Sequence, residues 1–133
     1  MRPIFTGLLG AALIAAIIAQ PLFAHHGRGN TYDGSTERSV TGTVTELAWR
    51  NPHVALYVEA KDEGGNLVTW GFEASNVSTM SREGWNRRIV RTGQEVTVTY
   101  NPARSGAPNG VLRTIILPDG TEIRARGNAD TLD

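Results

Sequence analysis

The sequence contains no cysteine. That excludes disulfides, thiolate metal centres, iron–sulfur clusters, covalently attached c-type haem and cysteine nucleophiles. It also lacks an excess of charge of either sign, since 13 Lys and Arg stand against 13 Asp and Glu. Such a balance offers no basic footprint for nucleic acid or for an anionic membrane. Histidine is scarce: the 133 residues hold 3, at His25, His26 and His53. Spacings for a serine nucleophile, a phosphate loop or a zinc site are missing. The carboxylates Glu46, Glu59, Glu73 and Glu95 fall singly along the chain, and no pair is spaced for acid–base work. These absences favour a binding protein over an enzyme.

Long apolar runs are missing too, with one short exception. Arg2 is followed by an apolar stretch from Ile4 to Ile18, then by the breaker Gln20-Pro21 and the small residue Ala24. A charged start, an apolar core and a small-residue exit predict a cleavable secretory signal peptide over residues 1–24. The run falls short of the roughly 20 residues a spanning helix needs, so no stable membrane anchor is expected after cleavage. The expected location is the periplasm, and a chain cut after Ala24 carries a net charge of about −1, Arg2 being the one charge removed. An exported domain without disulfides must be held by its core alone.

Residues 25–39 are polar and rich in Gly, Ser and Thr, and read as a flexible N-terminal arm. Residues 40–126 then read as one β-barrel domain, and 127–133 as a disordered tail. Period-two alternation with β-branched residues predicts strands at Val40–Leu47, His53–Lys61, Leu67–Glu73, Gln94–Tyr100, Val111–Leu117 and Thr121–Ala125. Gly42 inside the first predicts a bulge or sharp bend. The run Asp62-Glu63-Gly64-Gly65-Asn66 predicts a hairpin turn. The one helical stretch is capped by Ser75 or Asn76 and ended by Gly84. Around it crowd Arg82, Arg87, Arg88 and Arg91, which with Glu83 read as a solvated face. Alternation nominates a core of Val44, Val54, Leu56, Val58, Val68, Trp70, Phe72, Met80, Trp85, Val96, Val98, Ile115 and Leu117. Three meandering strands, a helix and further strands form the order of a small OB-like barrel of five to six strands, all-β with one short helix. An SH3-like barrel and an open sandwich are the alternatives.

The histidines carry the chemistry. Cleavage after Ala24 makes His25 the first residue, whose α-amine and Nδ1 can chelate one metal while a distant imidazole completes a T-shaped set. That nitrogen-rich geometry suits Cu(II). Cleavage one residue earlier leaves Ala24-His25-His26, which binds Cu(II) through amine, amides and imidazole. His53, in Trp49-Arg50-Asn51-Pro52-His53-Val54, is the distant imidazole, and it points outward if Val54, Leu56 and Val58 face the core. The metal set is thus His25, His26 and His53, with copper as the implied cofactor. Against it stand a solvated histidine pair on the arm and a His53 ring packed on Trp49. The second functional class is a metal-free adaptor that docks on an envelope protein through a groove of Trp49, Asn51 and Tyr57.

The chain also resembles a known family. Ala24-His25-His26 after a signal peptide, Val40-Thr41-Gly42-Thr43-Val44, Trp49-Arg50-Asn51-Pro52-His53-Val54, Trp70-Gly71-Phe72-Glu73, Arg82-Glu83-Gly84-Trp85, Gly93-Gln94-Glu95-Val96-Thr97-Val98 and Leu117-Pro118-Asp119-Gly120 are similar to domain-of-unknown-function family 6152. The resemblance covers nearly all of the exported part and implies a small exported β-rich bacterial domain with no established activity. Family members usually carry His-His-Ser and an aromatic, where this chain has His25-His26-Gly27-Arg28.

Overall fold

The structure, a computed structural model, describes residues 31–125. Six strands and one short helix follow one another: β1 (Arg38–Ala48), β2 (Ala55–Lys61), β3 (Leu67–Glu73), α1 (Val77–Arg82), β4 (Glu95–Pro102), β5 (Asn109–Ile116) and β6 (Glu122–Arg124). β1 pairs with β2 on one side and β4 on the other, β2 with β3, and β4 with β5, all antiparallel. A parallel pairing of Gly71–Glu73 with Asn109–Val111 joins β3 to β5 and closes the ring. The result is a five-stranded barrel in the OB-type order, and β6 lies outside it on β5. The SH3-like and open-sandwich alternatives fall with that closure.

Local sequence explains most of the elements. The hairpin between β2 and β3 is set by Asp62, whose main-chain N–H donates to the Asn66 carbonyl (2.9 Å) and whose side chain accepts from the Asn66 N–H (2.8 Å). Gly65 takes the left-handed conformation there, at φ 81°, which only glycine adopts without strain. Asn76 caps α1 by accepting from the Thr79 N–H at 2.9 Å, and the helix closes at its C-cap Glu83, followed by Gly84 at φ 91°. Met80 and Trp85, from this segment, enter the barrel core. The Trp85 indole N–H donates to the Arg124 carbonyl at 2.9 Å, which ties β6 to the helical side.

The core holds ten of the residues that alternation nominates: Val44, Val54, Leu56, Val58, Phe72, Met80, Trp85, Val96, Val98 and Ile115 are all buried. Each fully buried aliphatic or phenyl side chain contributes roughly 1.5–3 kcal/mol, and with no disulfide these terms carry the fold. Val68, Trp70 and Leu117 are only partly buried. Val68 and Trp70 face inward but sit at an open end of the barrel, where no strand covers them. Conversely, Val111 and Leu112 are neighbours in sequence and both fully buried, which simple alternation forbids. Leu112 joins the barrel interior, whereas Val111 points outward and is covered by Tyr32 and Ala103. Arg113 has no partner in β4, so the parity resets before Ile115.

Gly42 is not a bulge. The β1 irregularity falls between Val44 and Glu46, leaving Thr45 as the extra residue. Gly42 is instead a close crossing, where an added Cβ would meet Ala60 Cβ and Val58 Cγ1 at 2.7 Å each and the Glu59 carbonyl oxygen closer still. Gly42→Ala is therefore expected to destabilise the barrel by about 3 kcal/mol, overpacking against backbone being costlier than against a flexible side chain. In thermal unfolding this reads as a fall in Tm of roughly 12–24 °C. Thr41→Ala on the adjacent exposed position, which loses one hydroxyl contact to Thr97 at 2.7 Å, should cost under about 1 kcal/mol.

Candidate functional site

His53 lies just before β2, in the loop after the Asn51-Pro52 peptide, which is cis. Val54 is fully buried, so its neighbour His53 is turned to the outer face, with 46% of its side chain exposed. On that face the hairpin register sets Ala55 opposite Glu73. His53 Nδ1 lies 2.8 Å from Glu73 Oε1. A carboxylate only accepts, so the Nδ1–H donates, and in the neutral imidazole this leaves the lone pair on Nε2. Among the described residues nothing bonds to that Nε2.

The other oxygen of the same carboxylate is occupied from a different direction. The Tyr32 hydroxyl donates to Glu73 Oε2 at 3.2 Å. Tyr32 belongs to the stretch expected as arm, and residues 31–37 of it run along the barrel rather than away from it. Tyr32 forms a bridge with Ala103, the Asp33 N–H donates to the Pro102 carbonyl at 2.9 Å, and the Arg104 N–H donates to the Thr31 carbonyl at 3.0 Å. The Asn101 side chain, 4% exposed as a residue, donates to the Thr36 carbonyl at 2.7 Å and clamps the segment from beneath. Asp33 closes a turn by accepting from the Ser35 and Thr36 hydroxyls at 2.6 and 2.7 Å. Those hydroxyl donors hold its carboxyl at about 2, well below the usual carboxylate value, with Arg104 adding a little. β1 starts at Arg38, two residues ahead of the expected strand.

The other nominated residues scatter. Asn51 Oδ1 accepts from the Val77 N–H at 3.1 Å, so it serves as a second cap for α1. Trp49 packs against the core and borders a shallow depression with Ser81, Asn86, Arg87 and Arg88. Tyr57 stands over Gly71 on the outer face of β2 and β3. Each of the three keeps separate company. His25, His26 and the predicted signal peptide and tail lie outside the described residues. Among the described residues no cluster of three metal-ligating side chains occurs.

Two residues of the site escape the reading from sequence. Glu73 passes there as one more outward carboxylate. The signal was available, because the Asp62–Asn66 turn sets Lys61 opposite Leu67 and hence Ala55 opposite Glu73. Tyr32 has no such signal: its place depends on where the arm crosses the barrel, which no local pattern encodes.

The model of a family of unknown function (DUF6152) matches residues 13–113, from the apolar run to within β5. No curated protein and no solved structure matches the chain.

The fastening of the arm yields two expected outcomes. Because Asp33 has a folded value of about 2 against 3.8 for the free side chain, its turn is complete above about pH 4 and is lost as pH falls through about 2. Its carboxyl 13C shift should titrate near 2, and a midpoint near 3.8 would show that the turn does not form. Tyr32→Phe keeps a ring over Val111 and removes the donor to Glu73, so the unfolding free energy should drop by only about 0.5–1.5 kcal/mol. The same variant should accelerate amide exchange at Asp33 and Thr36, which report the bonds beside it.

Proposed function

Since the chain belongs to the family of unknown function DUF6152, a membership that brings no activity with it, we propose from the site itself that the protein is an exported Cu(II) binder, acting as a carrier or sensor. One observation carries the reading. A metal-ligating histidine commonly donates its second ring N–H to a carboxylate, which fixes the tautomer and raises the basicity of the other nitrogen. The 2.8 Å bond from His53 Nδ1 to Glu73 is that arrangement, with Nε2 left for a ligand.

Tyr32 supplies the rest of the support. It fastens the chain to the carboxylate that holds His53, six residues after His26. Six residues reach at most about 20 Å, so His26 and His25 lie within chain's reach of the imidazole. Cleavage after Ala24 would add the α-amine of His25 to the donor set. An amine with a free pKa of about 7.7–8.0 is readily deprotonated by a bound metal near neutrality. Three nitrogen ligands of this kind favour Cu(II) over harder cations. Among the described residues the main clefts lie away from His53, which favours binding over oxidative catalysis. The adaptor reading through Trp49, Asn51 and Tyr57 gains no support there, because Asn51 is committed to α1 and Tyr57 to Gly71.

Native mass spectrometry of untagged protein from a periplasm, with one equivalent of Cu(II), tests this. The expected mass starts at His25 and retains one copper against a competing chelator. His53→Ala should release that copper, and Glu73→Ala should weaken it by about 10–100-fold, as loss of a ligand's supporting partner does. An uncleaved N-terminus, or copper affinity unchanged in His53→Ala, would sink the proposal.

A further inference from the structure

The opposite end of β3 from Glu73 is unfinished. β3 pairs with β2 along Leu67–Glu73, but with β5 only at Gly71–Glu73. Among the described residues, Leu67–Trp70 therefore has a strand neighbour on one side only. The Gly71 N–H points away from β2, to the Pro108 carbonyl at 3.1 Å. Main-chain groups alternate along a strand, so the N–H and C=O of Thr69 and Leu67 point the same way, into open space. Natural barrels shorten, charge or cover such edges. Among the described residues this edge has no charged side chain and no covering element, and it includes Leu67, 62% exposed and the one large hydrophobic so exposed there.

Beside the edge lies a cleft of about 670 Å³. Val68, Trp70 and Tyr100 form one wall, and Arg104, Ala107 and Pro108 of the β4–β5 loop face them. Trp70 is held in place by Tyr100 and Phe72, with ring centroids 5.6 and 6.2 Å away. Its indole N–H is shielded and has no acceptor among the described residues, which therefore do not complete this wall. Asp62 stands at the hairpin end of the same cleft, beside Glu63, which is ion-paired with Arg38 at 3.3 Å.

We infer that the β3 edge from Leu67 to Trp70 is a docking site for an extended segment of a partner protein, added as a further strand with one face in the adjoining cleft. The main-chain groups of Leu67 and Thr69 dictate an extended occupant, since they offer two donors and two acceptors in strand spacing. Period two dictates its pattern: alternate side chains enter the cleft over Val68 and Trp70 and are large and apolar. Arg38 and Arg104 of this cleft are already paired with Glu63 and Asp33, so Asp62, which has no ion-pair partner among the described residues, favours a cationic residue at the segment's terminus. The site is independent of the histidines and stands whether or not copper binds.

The test uses the untagged exported protein and one synthetic probe: an octapeptide of alternating valine and threonine, with a central tryptophan and a lysine at each end. Amide exchange at Leu67 and Thr69 should slow at least tenfold on saturation, while amides of Gly71 and beyond keep their rates. Two probes N-methylated on opposite sets of alternate residues then separate edge pairing from greasy adhesion. One set should bind as the parent does and the other should fail. Thr69→Pro removes an outward donor without touching the β2 ladder and should weaken the probe at least tenfold. If that variant does not fold, the N-methylated pair still decides. Equal binding of both N-methylated probes, or no protection at Leu67 and Thr69, overturns the inference. So does protection that grows with protein concentration alone, which means a second copy, or protection without probe at any dilution, which means the chain covers its own edge.

Discussion

Three residue pairs between β3 and β5 close the barrel, and the rest of the molecule is arranged around them. At that seam Gly110 admits β4 so closely that a Cβ would sit 2.5 Å from the Asn101 carbonyl oxygen and from Tyr100 Cδ2. The seam brings Glu73 beside Val111 on the outer face, and Val111 is where the arm is seated by Tyr32. His53 and Tyr32 can therefore share one carboxylate although they lie 21 positions apart in sequence. The same seam stops after Gly71, which leaves Leu67–Trp70 without a second partner strand. One short pairing thus produces both a furnished end and an unfinished end of β3.

The absence of cysteine gives the arm its second role. A small barrel without disulfides depends on apolar burial, and part of its outer surface needs cover. Val111 is such a place, and Tyr32 and Ala103 supply the cover. Polar bonds then hold the segment in register, the buried Asn101 amide donating to the Thr36 carbonyl at 2.7 Å being the most enclosed of them. Fastening that protects an apolar residue also delivers a hydroxyl to Glu73, so packing and site construction are one event here.

Much of the architecture was legible from local pattern. The alternation of Leu56, Val58, Phe72, Val96 and Val98 placed strand faces correctly, and the turn at Asp62–Asn66 and the caps at Asn76 and Gly84 placed the boundaries. What pattern missed has a common cause. Val111, Trp70 and Gly42 owe their environments to elements far away in sequence: the arm, the gap beside β3 and the crossing of β2 over β1. Bulges at Thr45 and Arg113 also shift the parity of β1 and β5, and neither residue announces it. At the site, His53 was legible because a buried Val54 must turn its neighbour outward. Glu73 was legible only through register, and Tyr32 not at all. Asn51 stood out for its proline, yet its side chain serves α1 rather than a ligand.

Glu73 differs from an ordinary surface carboxylate because its two oxygens answer to different parts of the chain. One fixes a ring on the β1–β2 loop, the other a ring on the arm. A ligand that drew on His53 would polarise the Nδ1–H and strengthen the first bond, and the carboxylate so engaged is the one that seats the arm. Binding at the imidazole and fastening of the arm are then linked, and by reciprocity anything that loosens the arm weakens the ligand. The edge at Leu67–Trp70 is outside this linkage. A seven-residue strand is about 20 Å long, and Glu73 and Leu67 mark its two ends. A segment docked on the edge would leave His53 uncovered, so the two ends of β3 can be occupied independently.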